Sequence, residues 1–210
     1  MKLAFIIDQL DSIKTSKDSS FAMICEAVSR NHQIHVLYQH DIVLNQNIVT
    51  GFSRALTLTD NLQDRQWFRT SSISATPLHE FDVIVMRKDP PFDLEYVYST
   101  YLLELAESQG ALVINSPRSI RDHNEKLAIA KFPQFIAPTL VTSQPHLIRE
   151  FLGSHQDIIL KPLDGMGGAS VFRVHSADHN INVIIETLTH YGTRTIMAQR
   201  YIPEIAQGDK

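Results

Sequence analysis

The sequence predicts an α/β protein in two parts, an N-terminal doubly wound and mostly parallel sheet followed by a smaller α+β subdomain. A βαβ opening indicates the first part: an apolar strand at residues 2–8 precedes a helix of about a dozen residues and a second strand at residues 34–38. Two strand–helix–strand segments, within residues 139–161 and 171–200, indicate the second part. They are typical of a small sheet with helices on one face.

The composition limits the kinds of partner. The chain has 210 residues, 43% of them hydrophobic and 20% charged, as expected for a globular protein that buries a core. The net charge of −4 offers no basic surface to nucleic acid or to an anionic membrane, so we expect neither partner. Asp8 interrupts the apolar stretch at the start of the chain, so we expect this stretch to be neither a signal peptide nor a membrane span. The single cysteine, Cys25, cannot form an internal disulfide, and we interpret it as a core residue of a cytoplasmic protein.

The first helix begins beside the carboxyl end of the first strand. Asp18 or Ser19 can cap it, and its free N–H groups and positive dipole end would attract a carboxylate. Simple capping is also enough to explain these two residues. The substrate contact therefore stays one of two interpretations.

The next segments are read from turn signals and periodicity. Residues 41–59 alternate apolar and polar side chains around Asn45-Gln46-Asn47 and Gly51, which predicts a hairpin at the sheet edge. Residues 61–78 contain Trp67 and many hydroxyl residues without a clear period, which predicts a loop.

Charged residues follow the strand predicted at residues 81–87. Arg87, Lys88 and Asp89 lie where an open α/β sheet places its ligands, and Pro90-Pro91 fixes the backbone direction there. A solvated strand end is the alternative interpretation, and the residues themselves do not separate the two.

A helix at residues 94–109 and a strand at residues 112–115 continue the first part. The helix has a predicted buried stripe, and Gly110 ends it. The stripe consists of Leu94, Val97, Tyr98, Tyr101, Leu102, Leu105 and Ala106. Ser116-Pro117 then opens a further helix, for which residues 122–131 are the better stretch.

The most informative stretch is DIILKPLDGMGGASV at residues 157–171. It predicts a strand, a glycine-rich turn and a second strand. Gly165, Gly167 and Gly168 free the backbone for positive φ and close approach of a ligand, and Lys161 ends the first strand near that turn. These features favour a phosphate loop over a plain hairpin, although neither a GxxxxGK loop nor a dinucleotide fingerprint is present.

Five motifs together resemble the bacterial glutathione synthetase family of ATP-grasp ligases. They are KDSSFAM at residues 17–23, MRKDPPFD at 86–93, NEKL at 124–127, DIILKPLDGMGGASVFRV at 157–174 and MAQRYIP at 197–203. The resemblance implies an N-terminal pre-ATP-grasp domain at residues 1–123. It also implies an ATP-grasp subdomain at residues 124–210, whose C-terminal half would lie beyond Lys210.

The same resemblance implies the site residues. For ATP they are Lys126, Lys161, Gly165, Met166, Gly167, Gly168, Gln199, Tyr201, Ile202 and Asp209. For the substrate they are Ser19, Arg87 and Asp89. Lys126 would be a phosphate ligand rather than an ordinary surface lysine, residues 199–203 would be the purine hinge, and Asp209 would bind the ribose.

The implied activity is an ATP-dependent carbon–nitrogen ligation. It would join γ-glutamylcysteine to glycine through an acyl phosphate, giving glutathione, ADP and phosphate, in a homo-oligomer. Mg²⁺, with Mn²⁺ as an alternative, would bridge the phosphates. Its ligands and the catalytic residues are expected beyond Lys210, with no metal ligand within the chain. The alternative is a truncated, catalytically inactive fragment that binds nucleotide or substrate weakly.

Overall fold

The chain forms two compact units in the computed structural model, which describes residues 1–62 and 66–208. The units are Met1–Asp122 and His123–Lys210. The first contains two clusters of buried apolar side chains, and the second contains one.

The first unit is built on a mixed sheet. Its strands are β1 (Lys2–Ile6), β2 (Gln33–Leu37), β3 (Ile42–Asn45), β4 (Ile48–Leu58), β5 (Phe68–Thr70), β6 (Ser74–Pro77), β7 (Val83–Met86) and β8 (Val113–Ile114). Its α-helices are α1 (Ser19–Ser29), α2 (Leu94–Ser108) and α3 (Pro117–Asp122). β1 lies between β2 and β7 and is parallel to both, and β8 is parallel to β7. β4 pairs antiparallel with β2, β3, β5 and β6 at the other edge.

The two long helices of this unit cover opposite faces of the sheet. Phe5 packs in the cluster that contains α1, whereas Ala4 and Ile6 pack in the cluster that contains α2. Neighbouring strand residues point to opposite faces, so this division confirms the doubly wound arrangement. Because the chain winds in opposite directions from β1, the carboxyl ends of β1 and β7 border the crevice where such sheets bind ligands.

The edge hairpin is confirmed. β3 and β4 are joined at Gln46 and Asn47, whose φ angles are 47° and 65°. Asparagine tolerates this left-handed conformation better than most residues, which explains why the turn was readable from the sequence.

The loop predicted at residues 61–78 is wrong for its second half. β5 and β6 lie there and both pair with β4, while residues 63–65 of the predicted loop lie outside the described chain. Trp67 is 1% exposed, and its ring is 5.0 Å from those of Phe21 and Phe68, centroid to centroid. Strands of three or four residues show almost no periodicity, so pairing to the long β4 decides their structure.

The buried face predicted for α2 is wrong at four positions, because Leu94, Tyr98, Tyr101 and Leu105 are 67%, 52%, 53% and 37% exposed. It is right for Ala106, which is buried together with Tyr96, Ser99, Thr100 and Leu103. Two of these are polar, but their hydroxyls donate to backbone carbonyls of the helix itself at 2.9 and 2.6 Å, which removes most of the cost of burial.

The helix predicted at residues 122–131 is shifted. Helix α3 ends at Asp122, and a separate 3₁₀ helix spans Leu127–Lys131. The side chain of Asn124 accepts from the N–H groups of Lys126 at 3.1 Å and Leu127 at 2.9 Å. This local cap begins a new turn, so Lys126 precedes a short 3₁₀ segment instead of lying within an α-helix.

The second unit has an antiparallel sheet with its helices on one face. Its elements are β9 (Thr139–Thr142), α4 (Pro145–His155), β10 (Asp157–Pro162), β11 (Phe172–His175), α5 (Ile181–Thr189) and β12 (Ile196–Arg200). The strand order is β11-β10-β12-β9. Ile148 of α4 and Ile185 of α5 share one buried cluster with Ile158 and Leu160 of β10. Within residues 1–62 and 66–208, no helix is long and apolar enough to cross a membrane.

A packing test follows from Gly51 of β4. A Cβ there would overlap the Cδ2 of Leu37 and approach the Cδ2 of Leu78 to 2.9 Å, and both leucines are 0% exposed. We expect Gly51→Ala to destabilise the first unit by about 1–3 kcal/mol. Fluorescence of Trp67, the only tryptophan, would show it as a lower denaturation midpoint in urea.

The matched control is Gly153→Ala in α4, where a Cβ would meet nothing within 4 Å. It should leave the Trp67 transition unchanged. An unchanged transition in Gly51→Ala as well would contradict the packing described for β4.

Candidate functional site

The glycine-rich loop joins β10 to β11. Gly167 and Gly168 have φ angles of +67° and +78°, as predicted, and a Cβ at either position would meet nothing within 4 Å. Backbone conformation, not space, therefore requires glycine there. The prediction is wrong for Gly165, which has no positive φ, whereas Ser170 has one of 57°. The N–H groups of Gly167 and Gly168 have no acceptor among the described residues, so they are available to a bound anion.

Three side chains hold the beginning of this loop. Lys126 donates from its ammonium to the carbonyl of Gly165, and Asn124 donates to the carbonyl of Leu163 at 3.0 Å. Arg194 donates to the carboxylate of Asp164 at 2.5 Å. These contacts fix the loop where it leaves β10, while its glycine-containing tip keeps free donors.

Lys161 lies on the sheet face opposite α4 and α5. Its ammonium donates to Oε1 of Gln199 at 2.6 Å, and Nε2 of Gln199 donates to Oγ1 of Thr139 at 2.9 Å. Burial, and secondly the charge of Lys126, lower the pKa of Lys161 from its usual 10.5. An ammonium group whose charge is disfavoured by burial and by a neighbouring cation favours the binding of an anion beside it.

A cleft of about 450 Å³ lies beside Lys161. Its other walls are Phe135, Ile136, Ala137, Ile159, Val171, Gln199, Arg200, Tyr201, Ile202 and Ile205. Most of these side chains are apolar, as suits a flat aromatic ligand with few polar edges.

The backbone at the end of β12 offers a donor and an acceptor to this cleft. The N–H of Arg200 donates to Pro138 and that of Tyr201 to Asp157, each at 3.0 Å, whereas the N–H of Ile202 has no described acceptor. No described donor reaches the carbonyl of Arg200 either. Residues two apart in an extended chain direct their backbone groups to the same side, so the Arg200 carbonyl and the Ile202 N–H form an adjacent acceptor and donor.

A cation–π contact positions Tyr201. The guanidinium of Arg173 lies 3.7 Å from the Tyr201 ring centroid and donates to Asp157 through two nitrogens, at 2.7 and 3.1 Å. The hydrogen bond from Arg173 is the main cause that lowers the pKa of the Asp157 carboxyl. Sequence reasoning missed both residues. Their signal was their placement on the two strands that flank the glycine turn, where cross-strand pairs form.

The ATP residues named from the sequence therefore fall into two groups. Lys126 contacts the loop that contains Gly165, Met166, Gly167 and Gly168, whereas Lys161, Gln199, Tyr201 and Ile202 line the cleft. Asp209 lies outside the described residues.

The substrate residues named from the sequence meet in the first unit. Arg87 donates to the hydroxyls of Ser19 at 2.6 Å and Ser20 at 3.1 Å, which joins the end of β7 to the start of α1. The N-cap of α1 is Asp18, which accepts from the N–H groups of Ser20 and Phe21. Arg87, Asp89 and Asp18 line a crevice of about 60 Å³, which Ser19 does not line.

Asp8 connects this crevice to Lys88. The carboxylate of Asp8 accepts from the N–H of Asp89 at 2.8 Å and from the ammonium of Lys88 at 2.7 Å. Burial and then the charges of Asp8 and Asp18 raise the pKa of Asp89, and Lys88 and Arg87 oppose that rise. Sequence reasoning missed Asp8, although it follows β1 as Arg87 follows β7.

Asp8 and Lys88 also border a second cleft, of about 550 Å³, on the α2 side of the sheet. In the described parts of the chain, no group of three His, Cys, Asp or Glu residues is arranged to hold a metal ion.

Comparison with solved structures defines the class. D-cycloserine synthetase DcsG is similar with a TM-score of 0.63 and 15% identity, over 98% of this chain and 61% of that one. A RimK domain protein ATP-grasp from Sphaerobacter thermophilus is similar with a TM-score of 0.60 and 17% identity, over 97% and 65% of the two chains. These likenesses show the fold, which is that of the ATP-grasp class.

Sequence comparison then gives the family. Residues 1–121 match the family of the prokaryotic glutathione synthetase N-terminal domain, and residues 125–210 match its ATP-grasp domain. The glutathione synthetases of Nitrosomonas europaea and Ralstonia nicotianae are 64% and 52% identical over 100% of this chain. The chain belongs to the prokaryotic glutathione synthetase family. It spans 66% and 64% of the lengths of those two relatives.

The Arg173–Asp157 pair gives a pH-dependent prediction. A carboxyl whose folded pKa is lowered contributes stability above its unfolded pKa and loses it as the pH falls through the folded pKa. In Arg173→Ala the Asp157 pKa should rise toward its usual 3.8, as measured by carbon NMR titration of the carboxyl. The original chain and the variant should therefore differ less in free energy of unfolding below pH 3.8 than above it.

Arg149→Ala is the control, because Arg149 bonds to Asn182 on another part of the unit. It should leave the Asp157 titration unchanged. An Asp157 midpoint that is the same with and without Arg173 would refute the described contact.

Proposed function

We propose that this chain binds ATP and γ-glutamylcysteine for a glutathione synthetase reaction. In that reaction the cysteinyl carboxylate takes a phosphoryl group from ATP, and the amine of glycine displaces phosphate from the resulting acyl phosphate. The observation that supports the proposal most is the pair of unbonded N–H groups at Gly167 and Gly168. Two lysines accompany this loop: Lys126 donates to the carbonyl of Gly165, and Lys161 lies on the strand that precedes the loop. The family to which the chain belongs supports the choice of reaction.

The phosphates of ATP would bind at the glycine-rich loop. The N–H groups of Gly167 and Gly168 would donate to phosphate oxygens, and Lys161 would neutralise their charge. The ammonium of Lys126 also pairs with Glu125 at 2.8 Å, and it would likewise neutralise phosphate charge after its bond to the Gly165 carbonyl is exchanged for one to phosphate. Gln199 holds the Lys161 ammonium toward the open face, which reduces the reorientation that binding requires.

The base of ATP would lie in the apolar cleft. The carbonyl of Arg200 would accept from the exocyclic amine of adenine, and the N–H of Ile202 would donate to the neighbouring ring nitrogen. Tyr201, held by Arg173, and Ile202 would form walls against the ring. We propose Asp209 for the ribose hydroxyls from the family resemblance alone.

The dipeptide would bind at the carboxyl ends of β1 and β7. Arg87 offers a guanidinium to a carboxylate, whereas the N–H groups of Ser20 and Phe21 at the start of α1 are already bonded to Asp18. Asp89 would accept from the substrate's ammonium group. The 60 Å³ crevice is small for a dipeptide, so only one end of the substrate would enter it.

A divalent metal, Mg²⁺ or alternatively Mn²⁺, belongs to the proposed reaction as a neutraliser of phosphate charge. The described residues do not form a complete ligand set for it. The roles assigned above are therefore those of this chain's own donors and cations.

The phosphate assignment predicts the effect of Lys161→Ala. Because a hydrogen bond to a charged group contributes about 1.5–3 kcal/mol, ATP binding should weaken about tenfold or more. AMP, which lacks the outer phosphates, should be affected less. Calorimetric titration of the chain with both nucleotides measures the difference.

Lys131→Ala is the matched control, since Lys131 is an exposed lysine at the end of the 3₁₀ helix Leu127–Lys131. It should bind both nucleotides as the original chain does. Equal losses in the two lysine variants, or an unchanged ATP affinity in Lys161→Ala, would refute the role of Lys161.

A further inference from the structure

Pro138 lies opposite Arg200, where β12 ends and the chain leads into β9. The N–H of Arg200 donates to the carbonyl of Pro138 at 3.0 Å. Antiparallel residues paired in this way normally exchange two bonds, and the second runs from the partner's N–H back to the first residue's carbonyl. Proline has no N–H. The Arg200 carbonyl therefore receives no bond from the β9 side.

Pro138 immediately precedes β9, and proline is tolerated at the start of a strand. β9 is the edge strand of the order β11-β10-β12-β9, and an edge strand tolerates proline where the missing N–H would face solvent. Pro138 instead turns its bonding side to the inner strand β12, as its carbonyl contact with Arg200 shows. Pro138 is also exposed, so core packing does not require it.

We propose that Pro138 is a specificity-determining residue of the nucleotide site. By withholding an N–H from the Arg200 carbonyl, it keeps that carbonyl as an acceptor for the 6-amino group of a purine nucleotide. Neighbouring Ile202 supplies the donor for the ring nitrogen beside that group. This inference rests on the nucleotide site proposed above, and it adds a residue that does not itself touch the base.

The ligand class follows from the polarity of the two backbone groups. A 6-amino purine presents a donor to the Arg200 carbonyl and a ring acceptor to the Ile202 N–H. A 6-oxo purine presents the reverse polarity at both positions. Its oxygen would face the Arg200 carbonyl, acceptor against acceptor, and its ring N–H would face the Ile202 N–H, donor against donor. The site should therefore select adenine nucleotides over guanine nucleotides.

Replacing the proline should weaken that selection. In Pro138→Ala the new N–H can complete the pair with Arg200, and the 6-amino group must then compete for the same carbonyl. The loss should be about fivefold in ATP affinity, the effect of one neutral hydrogen bond. A purine riboside triphosphate without the 6-amino group makes no bond to that carbonyl, so its affinity should not change.

The experiment titrates ATP and the purine riboside triphosphate into the chain, Pro138→Ala and the control Pro145→Ala. Pro145 begins α4, away from the cleft lining. We expect the ratio of the two affinities to fall about fivefold in Pro138→Ala and to stay constant in the control. The ratio is insensitive to partial unfolding, because a smaller folded fraction lowers both affinities alike.

The remaining outcomes distinguish failure of the nucleotide site from failure of the role of Pro138. If the original chain binds neither nucleotide, the proposed nucleotide site fails and this inference fails with it. If ATP binds and the ratio is the same in the original chain and in Pro138→Ala, the nucleotide site stands and the role of Pro138 is overturned. Amide exchange at residue 138 of the variant shows whether the new N–H is bonded, and a bonded N–H with an unchanged ratio also overturns the role.

Discussion

The pairing of β10 with β12 is the constraint on which the candidate nucleotide site depends. Its register places Leu160 opposite Ala198 and Ile159 opposite Gln199. Leu160 and Ala198 are buried beneath α4 and α5, so Ile159, Lys161 and Gln199 share the other face. A slip of one residue would turn Lys161 into the core, and burial of that charge makes such a slip very unfavourable. The apolar core thereby fixes the position of the polar site.

This register also explains how the phosphate loop and the hinge come to lie beside one cleft. Both ends of the β10–β12 ladder contribute, since the loop follows Pro162 and the hinge contact joins Tyr201 to Asp157. Lys161 is half-buried among these elements, and this burial lowers its pKa. The core of the second unit thereby holds Lys161 half-buried beside the cleft, where an anion would compensate its charge.

Local signals predicted much of the fold and of the candidate site. The cap of α1, the Gln46-Asn47 turn and the glycines at positions 167 and 168 each have a conformational reason that can be read within a few residues. The structure agrees with these predictions because neighbouring residues alone determine them.

The features that were missed depend on residues distant in sequence. β5 and β6 exist because β4 extends far enough to pair with them, and the face of α2 depends on hydroxyls that bond within the helix. The contact of Arg173 with Tyr201 joins residues that only the folded sheet brings together. No local pattern contains this information, which is why the sequence could name the hinge but not what holds it.

We infer that the glycine-loop N–H groups and the Ile202 N–H bind one nucleotide. An amide-resolved NMR titration of the chain with ATP measures binding at each of these groups. Saturable shifts with a single dissociation constant are expected at Gly167, Gly168 and Ile202, while amides of β1 and β2 stay constant. GTP at the same concentrations should leave the Ile202 amide unshifted. Shifts elsewhere that spare Gly167, Gly168 and Ile202, or no saturable shift at all, would show that these N–H groups do not bind the nucleotide.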